Sequence, residues 1–505
     1  MTLSASRLAS LVRTDVRLQS RYGFYAVYIV VTLAFALGLR RAPDAELGRF
    51  VTLVVLGDPA LLGFYFVGAL VLFEKAEGVL DALVTSPVRA SEYLLSKVLS
   101  LTLLAVVATF VVVLGAVGTA FDPLVLLVGV LLTVPLYVLV GFVAVARFDT
   151  INAYFMTALA YMTVLTLPML GLLGLYETPL FYLFPVQASI VLVRAAFDPT
   201  TTTMLAYGVG YSLVATAIAW VFAHRAFVRH VVRDDGGAGA SKPRPWTAAT
   251  RPGVGRLAGR RRRRGPVESM VLADLKRWGT DPLLVYIGLS PLLIAVVARF
   301  GYPAAAASLS GRVDLLAYAD VAVAFVAAFA PATFGFVAGF LVLEDRDQGL
   351  VAAFRTTPLT GRGYLLYREL SVVVLSAVAG AVAVPLAGLV AVPPAVLAVA
   401  CAVSALWAAV TSLLLGSLAS NSVEGVAVSK VLGLLVMVPL FGLLAVPEPW
   451  QYLFGVFPPF WTIKLFVVGV ASGTTAEFVT LAVAGVFAHL VVAGVLARRF
   501  LARPD

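Results

Sequence analysis

The chain has 505 residues, 61% of them hydrophobic and 13% charged, with a formal net charge of +10 and a mean hydropathy of +0.99. A water-soluble domain carries roughly 25% charged residues, so an ordinary soluble fold is excluded and membrane-spanning α-helices are indicated. A transmembrane β-barrel is excluded too, because it would show alternating segments of about ten residues, and none is present.

The first predicted element is a basic segment, Arg7 to Arg21, which resembles the positive region of a signal peptide. It is read instead as part of the fold. The run "TDVRL" with Arg40 is echoed by "ADLKR" with Arg299 at constant spacing. At about twenty apolar residues per span, six spans follow at approximately 22–39, 55–74, 98–120, 124–146, 154–175 and 203–223. Within the second, Asp58-Pro59 reads as a cap and first helical residue, which would move the span to 59–80.

Residues 229–268 are rich in Gly, Pro and Arg with no apolar period, and are expected to be a flexible linker. Six more spans lie at approximately 282–299, 322–343, 370–391, 394–418, 426–446 and 476–497. Two further apolar stretches, 180–195 and 451–470, are interrupted by Pro and by Arg194 or Lys464, and fall in matching places. They are expected to be re-entrant or interfacial; a loop at membrane depth is tolerated only where protein or a water-filled cavity covers it.

Basic residues cluster in Arg7 to Arg21, in Arg225 to Arg264 and at Arg498, Arg499 and Arg503. By the positive-inside rule both termini and the linker are expected in the cytoplasm, with the chain multi-pass in the plasma membrane. The run Arg260 to Arg264 is read as topology and attraction to anionic lipid, with no nucleic-acid partner. Cys401 lies in an apolar run as a small hydrophobe, and His224, His230 and His489 show no metal-ligand spacing.

Residues 68–97 and 339–368 align without a gap, and eleven of the thirty pairs are identical. Among these are Gly78/Gly349, Thr85/Thr356, Pro87/Pro358 and the run Tyr93-Leu94-Leu95 with Tyr364-Leu365-Leu366. Glu74-Lys75 faces Asp345-Arg346, and "LPMLGLL" at 167–173 matches "VPLFGLL" at 438–444 at the same offset. The expected architecture is an all-α polytopic protein of twelve spans, a parallel tandem duplication of a six-helix unit. Its divisions are expected at 1–228, 229–268 and 269–505.

Val79, Leu80, Leu83 and Val84 share one face of a short helix, and Leu350, Val351 and Phe354 do so in the second copy. Ser86-Pro87 and Thr357-Pro358 then read as an N-cap with Pro at the first helical position. Acidic residues flank the apolar face: Glu74, Glu77, Asp81 and Glu92, then Glu344, Asp345 and Asp347. An anionic leaflet would repel them, so the loop is read as docking into another protein's groove.

This pattern resembles the permease subunit of ABC-2-type exporters. That family has a basic amphipathic N-terminal segment, six spans, and a re-entrant element between the fifth and sixth. Its loop after the second span reads approximately Glu-(Lys/Arg)-x-x-Gly-Thr-Leu-(Glu/Asp)-x-Leu-x-x-(Ser/Thr)-Pro. "EKAEGVLDALVTSP" matches closely, and "DRDQGLVAAFRTTP" more loosely, with Ala352 where an acid is expected. The resemblance covers nearly the whole chain, once per half, and looks most like drug (fluoroquinolone) export permeases, here two units fused.

The resemblance implies that the loop is a coupling helix seated on an ATP-binding subunit. That role carries over to Glu74, Gly78, Leu80, Asp81, Leu83 and Pro87, and to Asp345, Gly349, Phe354 and Pro358. No Gly-x-x-x-x-Gly-Lys-(Ser/Thr) loop occurs, so no cofactor is expected in this chain; ATP would sit on two copies of a separate ATPase. The chain is thus expected to be a permease and not an enzyme, moving drugs or other apolar or amphipathic molecules through the bilayer.

The alternative is an ion-coupled carrier with six plus six spans. Such carriers place carboxylates or histidines at mid-membrane, and Asp58 is the candidate of that kind that the sequence offers. Lys430 is expected to snorkel at a span end. Pro168 and Pro439 occupy equivalent points in two spans and are expected to kink them.

Overall fold

In a computed structural model the chain is a helical, multi-pass membrane protein, described over residues 4–21, 24–40, 47–57, 61–148, 154, 158, 161–232, 282–309, 314–347 and 360–502. The first part contains α1 (Ala5–Arg21), α2 (Phe24–Leu39), α3 (Leu47–Val55), α4 (Leu61–Ala76), α5 (Val79–Val84), α6 (Ala90–Val117) and α7 (Pro123–Val145). After residues 149–160, largely outside the described set, come α8 (Pro185–Arg194) and α9 (Thr202–Phe227). The second part contains α10 (Pro282–Leu309), α11 (Ala319–Asp347), α12 (Thr360–Ala387), α13 (Pro394–Leu418), α14 (Ser422–Ala445), α15 (Pro458–Ser472) and α16 (Ala476–Ala502).

Local chemistry sets many of these ends. Asp122 accepts from the backbone N–H groups of Leu124 and Val125 at 2.9 and 3.1 Å, with Pro123 opening α7. Eight helices among the described residues are long and apolar enough to cross a membrane: α6, α7, α9, α10, α11, α12, α13 and α16. The 28 residues of α6 span about 42 Å, against roughly 30 Å of hydrocarbon, so part of it extends beyond the core.

Three of the other expected spans correspond to α2, α4 and α14, of 16, 16 and 24 residues. The stretch 55–74 is not one helix. It is divided between α3 and α4 around residues 58–60, and Asp58 itself lies outside the described residues. The stretch 154–175 breaks after Leu165 into turns and the short helix Met169–Leu172, at Pro168. Pro439 sits inside α14.

Helix neighbours recur between the two parts. α4 packs on α7 as α11 packs on α13; α2 on α6 as α10 on α12; α7 on α9 as α13 on α16. A glycine enables the first pairing each time. A Cβ on Gly141 of α7 would lie 2.5 Å from the Phe64 carbonyl oxygen, and one on Gly335 of α11 would lie 2.4 Å from that of Ala408. The arginine echo also becomes one contact: Arg40 Nε donates to the Gly115 carbonyl at 2.6 Å, and Arg299 Nη1 to that of Leu386 at 3.0 Å.

The stretches 180–195 and 451–470 each fold as a 3-10 turn, Pro179–Leu183 or Trp450–Val456, followed by a Pro-started helix. Arg194 pairs with Asp198 at 2.8 Å, and Lys464, 6% exposed, pairs with Glu448 and Gln451. The two parts meet where α14 packs on α2 and α4. There Phe340, Leu343, Leu415, Ala419 and Leu432 join the core of the first part.

Candidate functional site

The segment between α4 and α6 turns at Gly78, whose φ of +67° lies in the left-handed region that favours glycine. α5 follows, six residues long, set against α4 and the turn Val228–Val232 at the end of the sixth span. Leu80 is buried in the core and Leu83 packs half-buried against it, while Val79, Glu77 and Pro87 are exposed. The expected helix start at Ser86-Pro87 is corrected: α6 begins at Ala90, after Arg89 in extended conformation. Ser86 instead closes the preceding turn, its hydroxyl donating to the Leu83 carbonyl at 2.8 Å and accepting from Val88 N–H at 3.2 Å.

Beneath this segment lies a buried ionic bracket. Lys97 of α6, 2% exposed, donates to Asp15 Oδ1 of α1 at 2.5 Å and to Glu74 Oε1 of α4. Tyr93, one turn before Lys97, donates to Glu74 Oε2 at 2.5 Å, and the Lys97 ammonium lies 5.1 Å from the Tyr93 ring centroid. Three helices are thus tied by one cation, two carboxylates and one phenol. Burial of such charges is tolerable because they are paired and hydrogen-bonded.

The basic residue next to Glu74 does a second job. Lys75 Nζ donates to the carbonyls of Ala146 and Phe148, both at 2.9 Å, at the end of α7. Terminal helix carbonyls lack intrahelical partners and carry the negative end of the helix dipole, so an ammonium there is stabilising. α1 is fastened at further points. Glu92, fully buried, accepts from Arg7 Nη2 at 3.0 Å, from Ser4 N–H at 3.1 Å and from Arg89 N–H at 3.0 Å. Gln19 donates to Ser100 Oγ at 3.1 Å.

The second part repeats the bracket. Tyr364 donates to Asp345 Oδ2 at 2.5 Å, Arg368 Nη2 donates to the same oxygen at 2.9 Å, and the Arg368 guanidinium lies 5.6 Å from the Tyr364 ring. Arg346 Nη1 donates to the carbonyls of Gly416 and Ala419 at 3.2 and 3.3 Å, at the end of α13. Four pairs of the sequence repeat, 74/345, 75/346, 93/364 and 97/368, therefore occupy the same structural places.

Of the sequence-predicted residues, Glu74 and Asp345 point inward at 6% and 8% exposure, and Leu80 at 2%. The surface-acid reading of Glu74, Glu92 and Asp345 is corrected: burial and partners remove them from any outward acidic flank, while Glu77 is exposed and Glu344 half-buried. The Asp81 side chain, and Gly349, Phe354 and Pro358, lie outside the described residues. Lys97, Tyr93, Arg368 and Tyr364 were not singled out as site residues. Their signal was present in the repeat itself, a Tyr four residues before a cation.

Two titratable groups other than Asp58, the sequence's mid-membrane candidate, have buried polar atoms within helices. Glu369 of α12 accepts from Ser412 Oγ at 2.9 Å through one oxygen, and its other oxygen is buried without a hydrogen-bond partner. His489 of α16 is fully buried, with Nδ1 2.7 Å from the Gly485 carbonyl. Glu369 falls just before the expected span 370–391, and His489 has no metal-ligand spacing and no sign of its burial in the sequence. Among the described residues no cluster of His, Cys, Asp and Glu could hold a metal ion.

Two family models match the chain in separate stretches. One, described as "Fluoroquinolones export permease protein family", matches residues 6–235; another, "Fluoroquinolones export permease protein Rv2686c-like", matches residues 274–497. The chain is 33% identical over 244 residues to "Fluoroquinolones export permease protein Rv2687c" of Mycobacterium tuberculosis, covering 46% of this chain and 99% of that protein. It is 30% identical over 242 residues to "Fluoroquinolones export permease protein Rv2686c" of the same organism, covering 46% of this chain and 92% of that one. No solved structure matches. With nearly the full length of the first relative aligned, this chain belongs to the fluoroquinolones export permease family.

Proposed function

We propose that this chain is the membrane path of an ATP-driven exporter of drugs or other apolar or amphipathic molecules, worked by two copies of a separate ATPase. It comprises two permease units, 1–228 and 269–505, joined by the linker 229–268, each contributing six spans. Termini and linker face the cytoplasm of the plasma membrane, where the basic residues concentrate. Each relative is a separate protein about half as long, which accords with two permease units in one chain.

The observation that carries this reading is the bracket under the α4–α6 segment. A loop meant only to connect two spans needs no buried ion cluster. Here Lys97, Glu74, Asp15 and Tyr93 fasten α1, α4 and α6 to one another, so a push on α5 moves three helices as a body. The exposed Val79 and half-buried Leu83 form the apolar contact for the ATPase groove.

Affinity purification from native membranes should recover an ATPase with this chain, and Val79→Asp or Leu83→Asp should release it while the protein remains folded. Retention of the ATPase by both variants overturns the docking. Export should stop on ATP depletion and persist when the proton gradient is collapsed. The second reading, an ion-coupled carrier, has Glu369 in its favour, a carboxylate inside α12 with one oxygen unpartnered. Export that survives ATP depletion but is lost in Glu369→Gln would establish it.

A further inference from the structure

Near the middle of three helices of the second part, α11, α13 and α14 leave a cavity of about 330 Å³. Its walls are mostly apolar, with four aromatic rings among thirteen lining residues: Phe325, Phe329 and Phe336 from α11 and Trp407 from α13. No charged side chain lines it; its polar lining comes from Thr333, Thr411 and Ser429. The Thr333 hydroxyl is already engaged, donating to the Phe329 carbonyl at 2.8 Å. Thr411 differs. It is 2% exposed, it lines the cavity, and its Oγ1 is buried without a hydrogen-bond partner. A buried hydroxyl left unmade destabilises the empty state, and an acceptor placed in the cavity would remove that penalty.

The first part is built differently at the same register. Leu62, Leu136, Val140 and Ala158 stand where the second part has Thr333, Trp407, Thr411 and Ser429. Phe64 and Tyr154, stacked with ring centroids 6.2 Å apart, stand where it has Gly335 and Gly425. The residues that line the cavity are thus not repeated in the first half. It also borders the junction between halves, because Phe336 and Leu432 pack on the shared core where α14 meets α2 and α4.

We infer that this cavity is a binding site for an uncharged, planar aromatic molecule that accepts a hydrogen bond from Thr411 through a carbonyl oxygen, an inference that rests on the export reading above. The aromatic rings and the single idle donor recognise such a molecule better than a lipid acyl chain, which has no acceptor to offer. Its place near the helix midpoints agrees with where transporters hold substrates between access to either side.

Two glycines make a clean test, since a Cβ on Gly433 or on Gly210 meets no atom within 4 Å. Gly433 is on the cavity wall and Gly210 is on α9, away from it. The probe is the radiolabelled ethyl ester of flumequine, an uncharged tricyclic quinolone, with the full chain in phosphatidylcholine nanodiscs. Gly433→Phe should raise its Kd by more than about tenfold by filling the site, and Thr411→Val by about fivefold through loss of one hydrogen bond. Gly210→Phe should leave it unchanged.

Equal affinity in the parent and Gly433→Phe overturns the cavity while the export reading stands, because the probe then binds elsewhere. Displacement of the probe by an equal concentration of oleate shows an acyl-chain site and overturns the inference as well. A parent that binds no probe also removes the site. Drug accumulation in cells expressing the parent then decides the export reading separately.

Discussion

The two halves hold the end of their second span with the same tyrosine and with different cations. In the first, Lys97 lies between Asp15 of α1 and Glu74 of α4; in the second, Arg368 reaches Asp345 of α11. The tyrosine-to-carboxylate hydrogen bond is 2.5 Å in both. An ammonium is a compact charge with three donors and can serve two carboxylates from different directions, whereas guanidinium is planar and directional. What the repeat preserves is a neutralised acid at the base of the loop. Which cation neutralises it differs between the halves.

The largest effect should separate the two cations. Lys97→Met leaves Asp15 and Glu74 facing each other without a counter-charge, at side-chain exposures of 6% and 8%. Removing one member of a buried ionic group costs about 3–5 kcal/mol, so Lys97→Met should unfold far more readily in detergent. Arg368→Met leaves Asp345 with the Tyr364 hydroxyl, at 11% exposure, and should cost about 2 kcal/mol, the worth of a charged hydrogen bond. Thermal unfolding midpoints of the two variants check this. Equal losses would overturn this ranking of the two cations.

A second comparison should show sameness. Tyr93→Phe and Tyr364→Phe each delete one 2.5 Å hydrogen bond to a carboxylate that keeps its cation. Each should cost about 1.5 kcal/mol, alike in both halves. If Tyr93→Phe is much the worse, the cause lies in its packing against Phe142 and Phe227, at centroid distances of 6.3 and 5.1 Å.

Much of this was legible in sequence, and the limits have physical causes. The repeat from Gly68 to Lys97 marked the stretch that holds Glu74, Tyr93 and Lys97 and their counterparts, without showing that they meet. The direction of Glu74 was not legible: acid followed by base at a span end reads equally as a solvated rim. The partner that turns it inward, Lys97, comes from another helix 23 positions on. Helix ends were misplaced for a related reason. Ser86-Pro87 has the chemistry of an N-cap, but Glu92 accepting from Arg89 N–H fixes the start of α6 later. The break in the fifth span was signalled locally by Pro168, whereas the cavity beside Trp407 depends on packing between distant helices, which no local pattern encodes.

The smallest effect tests the helix-end contacts beside the bracket. Lys75 is 2.9 Å from two carbonyls at the end of α7, and Arg346 is 3.2 and 3.3 Å from two at the end of α13. Arg346 also lies 5.0 Å from the Phe500 ring, a contact of α16 that belongs to the second half. Lys75→Met removes a charge from a helix C-terminus and two hydrogen bonds that water can partly replace, so its cost should be about 1 kcal/mol. Arg346→Met gives up weaker hydrogen bonds but adds the loss of a cation–π contact worth about 0.5–1 kcal/mol, so the two should come out close. Unfolding midpoints within a degree or two of each other would show that two unlike side chains solve one problem at matching places. A Lys75→Met loss on the scale of Lys97→Met would instead put Lys75 inside the bracket, carrying Glu74 with it.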